Sequence, residues 1–243
     1  MDSGYYAACS ALKTQTSALD IVANNVANVS TAGYRGQIPS FESLIAQGRN
    51  RQSGWERLTN EFSVLNGTRI DLAEGNLEHT GNPLDLAIEG PGFFAVQSKA
   101  GTLYTRNGGF RISAAGQLVT SAGDPVMGVA GPITVPEGEI AISLDGTLSV
   151  NGAVAGKLLI SEFAADTKLE PVGESYYSAP DKRAKTALAS SVRSGTIESS
   201  NVGPVAAMVA LISAQRQAEM MERAMGAFYS DFNRIAADDL PRI

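Results

Sequence analysis

Apolar residues recur at alternating steps of three and four at both ends of this 243-residue chain, and this pattern constrains the fold more than any other feature. The N-terminal stripe runs from Tyr5 to Val29, with Gln15 as its one polar member. The C-terminal stripe runs from Ala207 to Ile235 without interruption. Because this spacing places residues on one face of an α-helix, it predicts two long amphipathic helices with seams of the coiled-coil type.

The first helix is predicted over residues 3–29. The second is predicted to begin near Asn201 to Pro204, because Asn is a favourable N-cap and Pro suits the first helical turn. Each stripe is about 40 Å long at 1.5 Å per residue, and isolated helices are only marginally stable in water. The stripes therefore require partners, which are each other, neighbouring subunits, or both.

The first helix carries three asparagines near its end, in the run LDIVANNVANVSTAGY (19–34). Asn is a mediocre helix former because its amide competes for nearby backbone groups. Our hypothesis is that Asn24, Asn25 and Asn28 satisfy the last helical carbonyls and align a neighbouring helix. Gly33 is predicted to adopt a positive φ and terminate the helix. The alternative is a monomeric helix whose asparagines face water.

The centre of the chain has the pattern of short strands. From residue 84 to 163, apolar runs are separated by turn residues, which include Asp145-Gly146 and Asn151-Gly152, both strong hairpin signals. The predicted fold class is therefore α+β, with a mainly antiparallel β domain inserted between N- and C-terminal α-helices. Residues 34–75 and 164–200 are weakly periodic, and we interpret them as extended connectors. The expected segments are 1–33, 34–75, 76–200 and 201–243.

Composition and charge exclude several classes of protein. The formal net charge is −6, and without a Lys/Arg cluster we predict no binding to nucleic acid or to an anionic membrane. No apolar run approaches the roughly 18 residues of a membrane span. The N-terminus lacks a basic start followed by an apolar stretch, so we predict no cleaved signal peptide.

Catalytic and metal-binding residue sets are sparse. Cys9 is the one cysteine and His79 the one histidine, so neither a disulfide nor a Cys-rich metal site is expected. His79 lies in a polar, turn-rich stretch typical of the surface, and Cys9 lies on the first helix, where a packed thiol is expected. We therefore predict no enzyme activity, no cofactor and no metal site.

Three blocks of the sequence resemble, in order, the bacterial flagellar rod and hook proteins. The first is Ala23-Asn24-Asn25-Val26-Ala27-Asn28-Val29, followed by Thr31 and Gly33-Tyr34. The second includes Thr80-Gly81-Asn82-Pro83-Leu84-Asp85, Gly92-Phe93-Phe94 and Tyr104-Thr105-Arg106. The third is Glu198-Ser199-Ser200-Asn201-Val202, followed by Gln215-Arg216. One departure follows, since Ala218 and Met221 occupy places where the family commonly has an aromatic residue and an Asn.

The resemblance implies a structural subunit of the rod, the shaft that joins the inner-membrane motor to the hook. The short length and the stretch 125–133 resemble a proximal-rod member, with the distal rod as the nearest alternative. The resemblance also implies that the terminal helices pair as a coiled coil lining the inside of the rod. Other copies of the chain and other rod proteins would be its partners. The flagellar type III apparatus would export it to the periplasmic rod of the basal body without signal cleavage.

Assembly through the terminal segments implies a set of candidate interface residues. They lie on the two stripes and in the asparagine run: Leu12, Leu19, Val22, Asn24, Asn25, Val26, Asn28, Val29, Gly33, Leu211, Ala214, Ala218, Met221, Met225, Phe228 and Phe232. Two other functions stay open on the residues alone. One is a monomeric β-domain binding module with helical stalks, for example for a glycan, and the other is an unrecognised hydrolase.

Overall fold

The computed structural model describes residues 2–44, 62–99, 101–164, 167, 169–173, 175–179, 185–186 and 190–238. The chain forms two compact units. Unit 1 comprises Met1–Ala27, Gln37–Arg69 and Pro204–Ile243, and unit 2 comprises Asn28–Gly36 and Ile70–Gly203. The backbone therefore passes between the units at four points, 27/28, 36/37, 69/70 and 203/204.

Unit 1 contains both predicted helices, α1 (Asp2–Ala27) and α2 (Pro204–Asp238), and they pack against each other. α1 ends two residues earlier than predicted, so Asn28 and Val29 lie in the turn that follows it. Pro204 occupies the first position of α2, where its missing N–H costs no hydrogen bond. The N-cap position is Gly203 rather than Asn201. The Asn201 side chain instead bonds the backbone of Gly36, Asp71 and Ala73.

Unit 1 also contains two strands, β1 (Gln37–Leu44) and β2 (Phe62–Ile70), which pair with each other. The last residue of β2, Ile70, already belongs to unit 2. Both strands fall in the 34–75 stretch that we interpreted as a connector. Its polar residues lack the clear alternation by which a half-buried strand is recognised in a sequence.

Unit 2 is built from short strands, and every described strand pair for which the register is defined is antiparallel. The strands are β3 (Leu77–His79), β4 (Leu86–Glu89), β5 (Gly92–Ser98), β6 (Gly101–Thr105), β7 (Arg111–Ile112), β8 (Leu118–Val119), β9 (Met127–Gly128), β10 (Gly131–Pro132), β11 (Ile140–Ile142), β12 (Thr147–Val150), β13 (Ala153–Lys157), β14 (Ile160–Glu162), β15 (Glu170–Gly173), β16 (Tyr176–Ser178), β17 (Lys185–Thr186), β18 (Ser191–Ser194) and β19 (Thr196–Glu198). Five of them lie in the 164–200 stretch that we interpreted as a connector. The predicted α+β fold class, with a mainly antiparallel β domain between two terminal helices, is confirmed.

The largest sheet of unit 2 has six strands in the order β15-β16-β6-β5-β14-β17. A three-stranded sheet, β11-β12-β13, and several two-stranded pairs, including β18-β4 and β19-β3, complete it. One continuous apolar core joins these sheets, and its fully buried members include Leu86, Phe94, Leu118, Val126 and Leu148. A smaller cluster of Phe93, Leu169 and Tyr177 lies beside it.

Both predicted turns of the three-stranded sheet are present. Asp145 accepts hydrogen bonds from the Thr147 backbone N–H at 3.2 Å and from the Lys157 ammonium at 3.0 Å. The Lys157 hydrogen bond and those from Thr147 lower the pKa of Asp145 to about 2. Asn151 and Gly152 connect β12 to β13 with φ values of 50° and 82°. Positive φ at both central residues is the type I′ geometry that an Asn-Gly pair favours.

Candidate assembly interface

One face of α2 carries the predicted seam and packs against α1. Its buried members, Ala207, Ala214 and Ala218, are 7%, 8% and 8% exposed. Leu211, Met221 and Met225 continue the same face and are half-buried. The methyl groups of alanine let two helix axes approach more closely than larger side chains would. The side chains of Phe228 and Phe232 lie outside the described residues.

Gln15, the polar member of the N-terminal stripe, bonds directly to α2. Its Nε2 atom donates to Oε1 of Gln217 at 3.0 Å and lies 3.4 Å from the carbonyl oxygen of Ala214. A polar side chain within a helix–helix contact favours the one alignment that satisfies its hydrogen bonds. We therefore assign Gln15 the role of setting the register between α1 and α2, which the periodicity did not predict.

The α1 stripe is only partly covered. Leu12, Leu19, Val22 and Val26 are half-buried, whereas Ile21, one position outside the predicted stripe, is buried to 7% exposure. α1 thus presents apolar side chains over a wider face than a narrow coiled-coil seam. Periodicity alone missed Ile21, because it stands directly beside a stripe residue and breaks the alternating spacing.

The opposite face of α2 is exposed and carries a row of apolar side chains, concentrated in its first turns, before charged residues follow from Arg216 onward. At 3.6 residues per turn, its members share one face and point away from the buried seam. The outer face, as we name it, consists of Val205, Met208, Val209, Ile212 and Met220, which are 51–75% exposed. Exposed apolar surface such as the row from Val205 to Ile212 is typical of interaction sites. α2 therefore carries apolar side chains on two faces, of which α1 covers one.

α2 is also longer than α1, with 35 residues against 26. The difference of nine residues corresponds to about 13 Å of helix that α1 cannot accompany. Tyr229, on the same side of α2 as the seam, is 64% exposed. α2 is therefore longer than the partner helix of the same chain.

The asparagine run is used within the chain. The Nδ2 atom of Asn25 donates to the carbonyl oxygen of Gln37, and the Gln37 N–H donates to Oδ1 of Asn25, both at 2.8 Å. The Asn25 amide thereby imitates the backbone of a neighbouring strand and holds the first residue of β1 against α1. Asn28 accepts from the Thr31 hydroxyl at 3.2 Å, and the Asn24 side chain is exposed. The hypothesis that these amides align a neighbouring subunit did not anticipate the intrachain role of Asn25.

Gly33 has the predicted positive φ, 66°, but it lies in the turns after α1 rather than at the helix terminus. Its amide donates to the carbonyl oxygen of Glu198 at 2.7 Å. A β-carbon at this position would lie 2.2 Å from the backbone nitrogen of Asn107. Glycine is therefore required here both by the backbone conformation and by the close approach of another segment.

A buried ion-pair cluster lies beside Gly33 within unit 2. The Glu198 carboxylate pairs with Nη2 of Arg35 at 2.7 Å and with Nη1 of Arg106 at 3.2 Å. All three side chains are 1% exposed. The Arg106 guanidinium also donates to the carbonyl oxygens of Ile88, at 3.0 Å, and Gly90. Burial lowers the pKa of Arg106 to about 10, against the opposing attraction of Glu198.

The cluster joins the three sequence blocks. Arg35 directly follows the first block, Arg106 belongs to the second, and Glu198 begins the third. Sequence reasoning quoted Arg106 and Glu198 but assigned them no role, because nothing local indicates that charges 92 residues apart will pair. One signal was available in the sequence. Charged residues within glycine-rich and apolar blocks are seldom fully buried unless they are paired, so their presence there could have predicted a buried ion pair.

Sites for chemistry are not evident in the part of the chain that the structure describes. His79 is exposed on β3, and Cys9 is half-buried on α1. Among the described residues, no group of three His, Cys, Asp or Glu side chains is placed to hold a metal ion, and no described helix has the length and apolarity to cross a membrane. A cleft of about 610 Å³ in unit 2 is lined mainly by hydroxyl and amide side chains, among them Thr105, Asn107 and Tyr176.

Comparison with known families gives three matches that follow the same blocks. Family models described as "Flagella basal body rod protein", "Flagellar hook protein FlgE/F/G D1 domain" and "Flagellar basal body rod FlgEFG protein C-terminal" match residues 6–35, 87–150 and 193–228. The flagellar basal-body rod protein FlgF of Escherichia coli K12 is 32% identical, over 93% of this chain and 94% of its own length. The chain belongs to the flagellar basal-body rod protein family.

Other members of the rod family are similar along nearly the whole chain. The FlgF protein of Caulobacter vibrioides is 30% identical over the full length of both chains. The FlgG protein of Agrobacterium fabrum is 31% identical, over 88% of this chain and 90% of its own length. The chain is accordingly a structural subunit of the flagellar basal-body rod, and most like the FlgF members.

Proposed function

We propose that this rod-family chain is the FlgF-type subunit of the proximal rod, which polymerises through its terminal helices and transmits motor torque toward the hook. Similarity to FlgF proteins along nearly the whole chain supports this assignment, and a FlgG-type distal subunit is the alternative. Its partners would be further copies of itself and other rod proteins. We propose no enzymatic activity.

The proposal includes an export route and a location in the cell. Export by the flagellar type III apparatus would deliver the chain, without signal cleavage, to the periplasmic part of the basal body. The similarity to basal-body rod proteins along nearly the whole chain supports this route. Locating the subunit in a density map of the intact basal body would distinguish the proximal from the distal position.

The exposed outer face of α2 is the single observation that carries the assembly proposal. Burial of an apolar side chain of this size contributes roughly 1.5–3 kcal/mol, so an exposed stripe of five such residues favours association. Together with the half-buried candidates on α1 and α2, it forms the surface that we propose for contact between subunits. A contact between two different faces forms a ring when its rotation closes and a helical filament when it does not; a rod requires the second case.

Ile212→Asp tests this surface. The charge should leave the purified full-length subunit folded, because Ile212 is 51% exposed, but should block incorporation into rods. Ala224→Asp, at an exposed position of α2 outside both apolar faces, is the matched control. Circular dichroism checks folding, and motility and isolated basal bodies check assembly in cells that carry the variant as their only copy. Normal rods built from Ile212→Asp would contradict the proposal.

A further inference from the structure

All four points at which the chain passes between the units lead into three stretches of unit 2. These are residues 28–36, residues from Ile70 to Gly75, and residues from Glu198 to Gly203. Four connections that moved independently would behave as flexible linkers. The hydrogen bonds among the three stretches therefore decide whether the connections act separately or together.

The Glu198 side chain links all three stretches. Its Oε1 atom accepts from the Gly75 N–H at 2.8 Å and pairs with Arg35 at 2.7 Å. The Arg35 guanidinium donates in turn to the carbonyl oxygen of Ala73. The backbone oxygen of Glu198 accepts from Gly33. One buried carboxylate thus connects the chain after α1, the chain after β2 and the chain before α2.

Asn201 makes a second set of links between the same stretches. Its Oδ1 atom accepts from the Gly36 N–H at 2.7 Å. Its Nδ2 atom donates to the carbonyl oxygens of Asp71, at 3.1 Å, and Ala73, at 3.0 Å. The Asp71 N–H also donates to the Gly36 carbonyl oxygen at 2.7 Å. This use of the side chain explains why Asn201 is not the N-cap of α2.

Arg106 anchors the linked stretches to the strands of unit 2. Its guanidinium reaches the carbonyl oxygen at Ile88 in β4 and lies 5.1 Å from the centre of the Phe93 ring in β5. The backbone N–H of Arg35 donates to the Tyr177 hydroxyl on β16 at 2.9 Å. Partners on three strands therefore hold the linked stretches against the β core.

We infer that Arg35, Arg106, Glu198 and Asn201, which we name the junction cluster, join the four chain crossings into one mechanical connection. Force that reaches unit 2 along any one crossing is then shared among all of them. The use of this connection in carrying torque rests on the proposed function, whereas the joining of the crossings does not. In this role Glu198 and Asn201 are positioning residues.

Hydrogen exchange on the full-length subunit tests the inference. Glu198→Gln leaves two buried guanidinium groups without their carboxylate. Relative to the wild type, Glu198→Gln should accelerate exchange of the amides at Gly33, Gly36, Asp71 and Gly75 at least about tenfold more than it accelerates exchange of core amides in β5 and β12. The reason is that local opening would precede global unfolding. Val150→Ala is the control, since it weakens the unit 2 core and makes no bond to the junction cluster.

The control should raise exchange evenly throughout unit 2. Equal acceleration at crossing and core amides in Glu198→Gln would overturn the inference, and so would unchanged exchange at the crossings. If Glu198→Gln does not fold, Asn201→Ala is measured by the same criterion. That variant removes three hydrogen bonds and leaves the ion pairs in place. Equal acceleration of exchange at crossing and core amides would again overturn the inference that the junction cluster joins the crossings.

Discussion

Single residues of this chain are constrained most strongly where distant backbone segments meet. At Gly33, a left-handed backbone conformation coincides with an approach so close that a β-carbon does not fit beside Asn107. Gly81 has a similar φ of 77°, but its missing β-carbon would face open space. Substituting each glycine therefore separates the energetic cost of the left-handed backbone conformation from that of the steric clash with Asn107.

Gly33→Ala should destabilise unit 2 more than Gly81→Ala. The left-handed conformation costs an L-residue about 1–2 kcal/mol at either site, and at position 33 the backbone clash should add about 1–3 kcal/mol. Urea unfolding monitored by fluorescence gives both changes in the free energy of unfolding. Equal losses in the two variants would show that the close approach carries no energetic weight.

Tyr177 makes stability depend on pH in alkaline solution. Burial raises the pKa of Tyr177 to about 12 from its usual value of 10. Between pH 10 and 12, the phenol ionises in the unfolded chain but stays protonated in the folded one. The unfolded state then binds fewer protons. The contribution of Tyr177 to the free energy of unfolding is therefore fully present below pH 10 and falls by about 1.4 kcal/mol per pH unit above it.

The Tyr177 contribution is measured as the difference between the wild type and Tyr177→Phe. Arg106, with its pKa lowered to about 10, acts in the opposite direction over the same range and is common to both proteins. The free energy of unfolding should therefore fall more steeply with pH in the wild type than in Tyr177→Phe. Parallel pH profiles would contradict the buried, neutral phenol.

At the scale of elements, α2 has two apolar faces with different uses. The face of small residues packs against α1, and Gln15 supplies a hydrogen-bonded register there. The outer face carries larger side chains that the chain itself leaves exposed. This difference in residue size distinguishes the closely packed intrachain contact from the surface that we propose for assembly.

Ala214→Leu should destabilise the helix pair, because it forces a larger side chain into a contact that admits a methyl group. We expect a loss of about 1–3 kcal/mol. Ala210→Leu makes the same substitution at an exposed position of the same helix and should change stability by less than about 0.5 kcal/mol. Thermal unfolding followed by helical circular dichroism compares them, and equal melting temperatures would argue against close packing at Ala214.

At the scale of the whole molecule, the boundaries of unit 2 differ from those that the sequence suggested. The expected segments cut the chain after residue 33 and before residue 201. Unit 2 instead includes Asn28–Gly36 and ends at Gly203. The difference matters because it decides whether Gly33 and Asn201 stay with the strands that they bind.

A fragment spanning 28–203 should be more stable than one spanning 34–200. The longer fragment keeps the Gly33 bond and the three Asn201 side-chain bonds, and each typical hydrogen bond contributes about 0.5–1.5 kcal/mol. Urea midpoints measure the difference, and sedimentation should show both fragments as monomers that lack the assembling helices. Equal midpoints would imply that the flanking residues add nothing to unit 2.

The candidate site could be predicted in part. Periodicity located the seam of α2, including Ala214 and Ala218, because helical spacing along the sequence determines which residues share a face. It missed Ile21, the pairing of Asn25 with Gln37, and the exposure of the outer face. Each of these depends on which other segment covers a given face, and that segment lies elsewhere in the chain.

The sequence by itself determined the two helices, the Asp145 and Asn151-Gly152 turns, and the membership of the rod family. These features are encoded in neighbouring residues, through helical spacing, turn chemistry and ordered motifs. Only the tertiary structure decided the partners of Arg35, Asn201 and Glu198. Several of these bonds join residues far apart in the sequence, such as Glu198 with Gly75 across 123 positions and Asn201 with Asp71 across 130, and their energies depend on burial that no local pattern specifies.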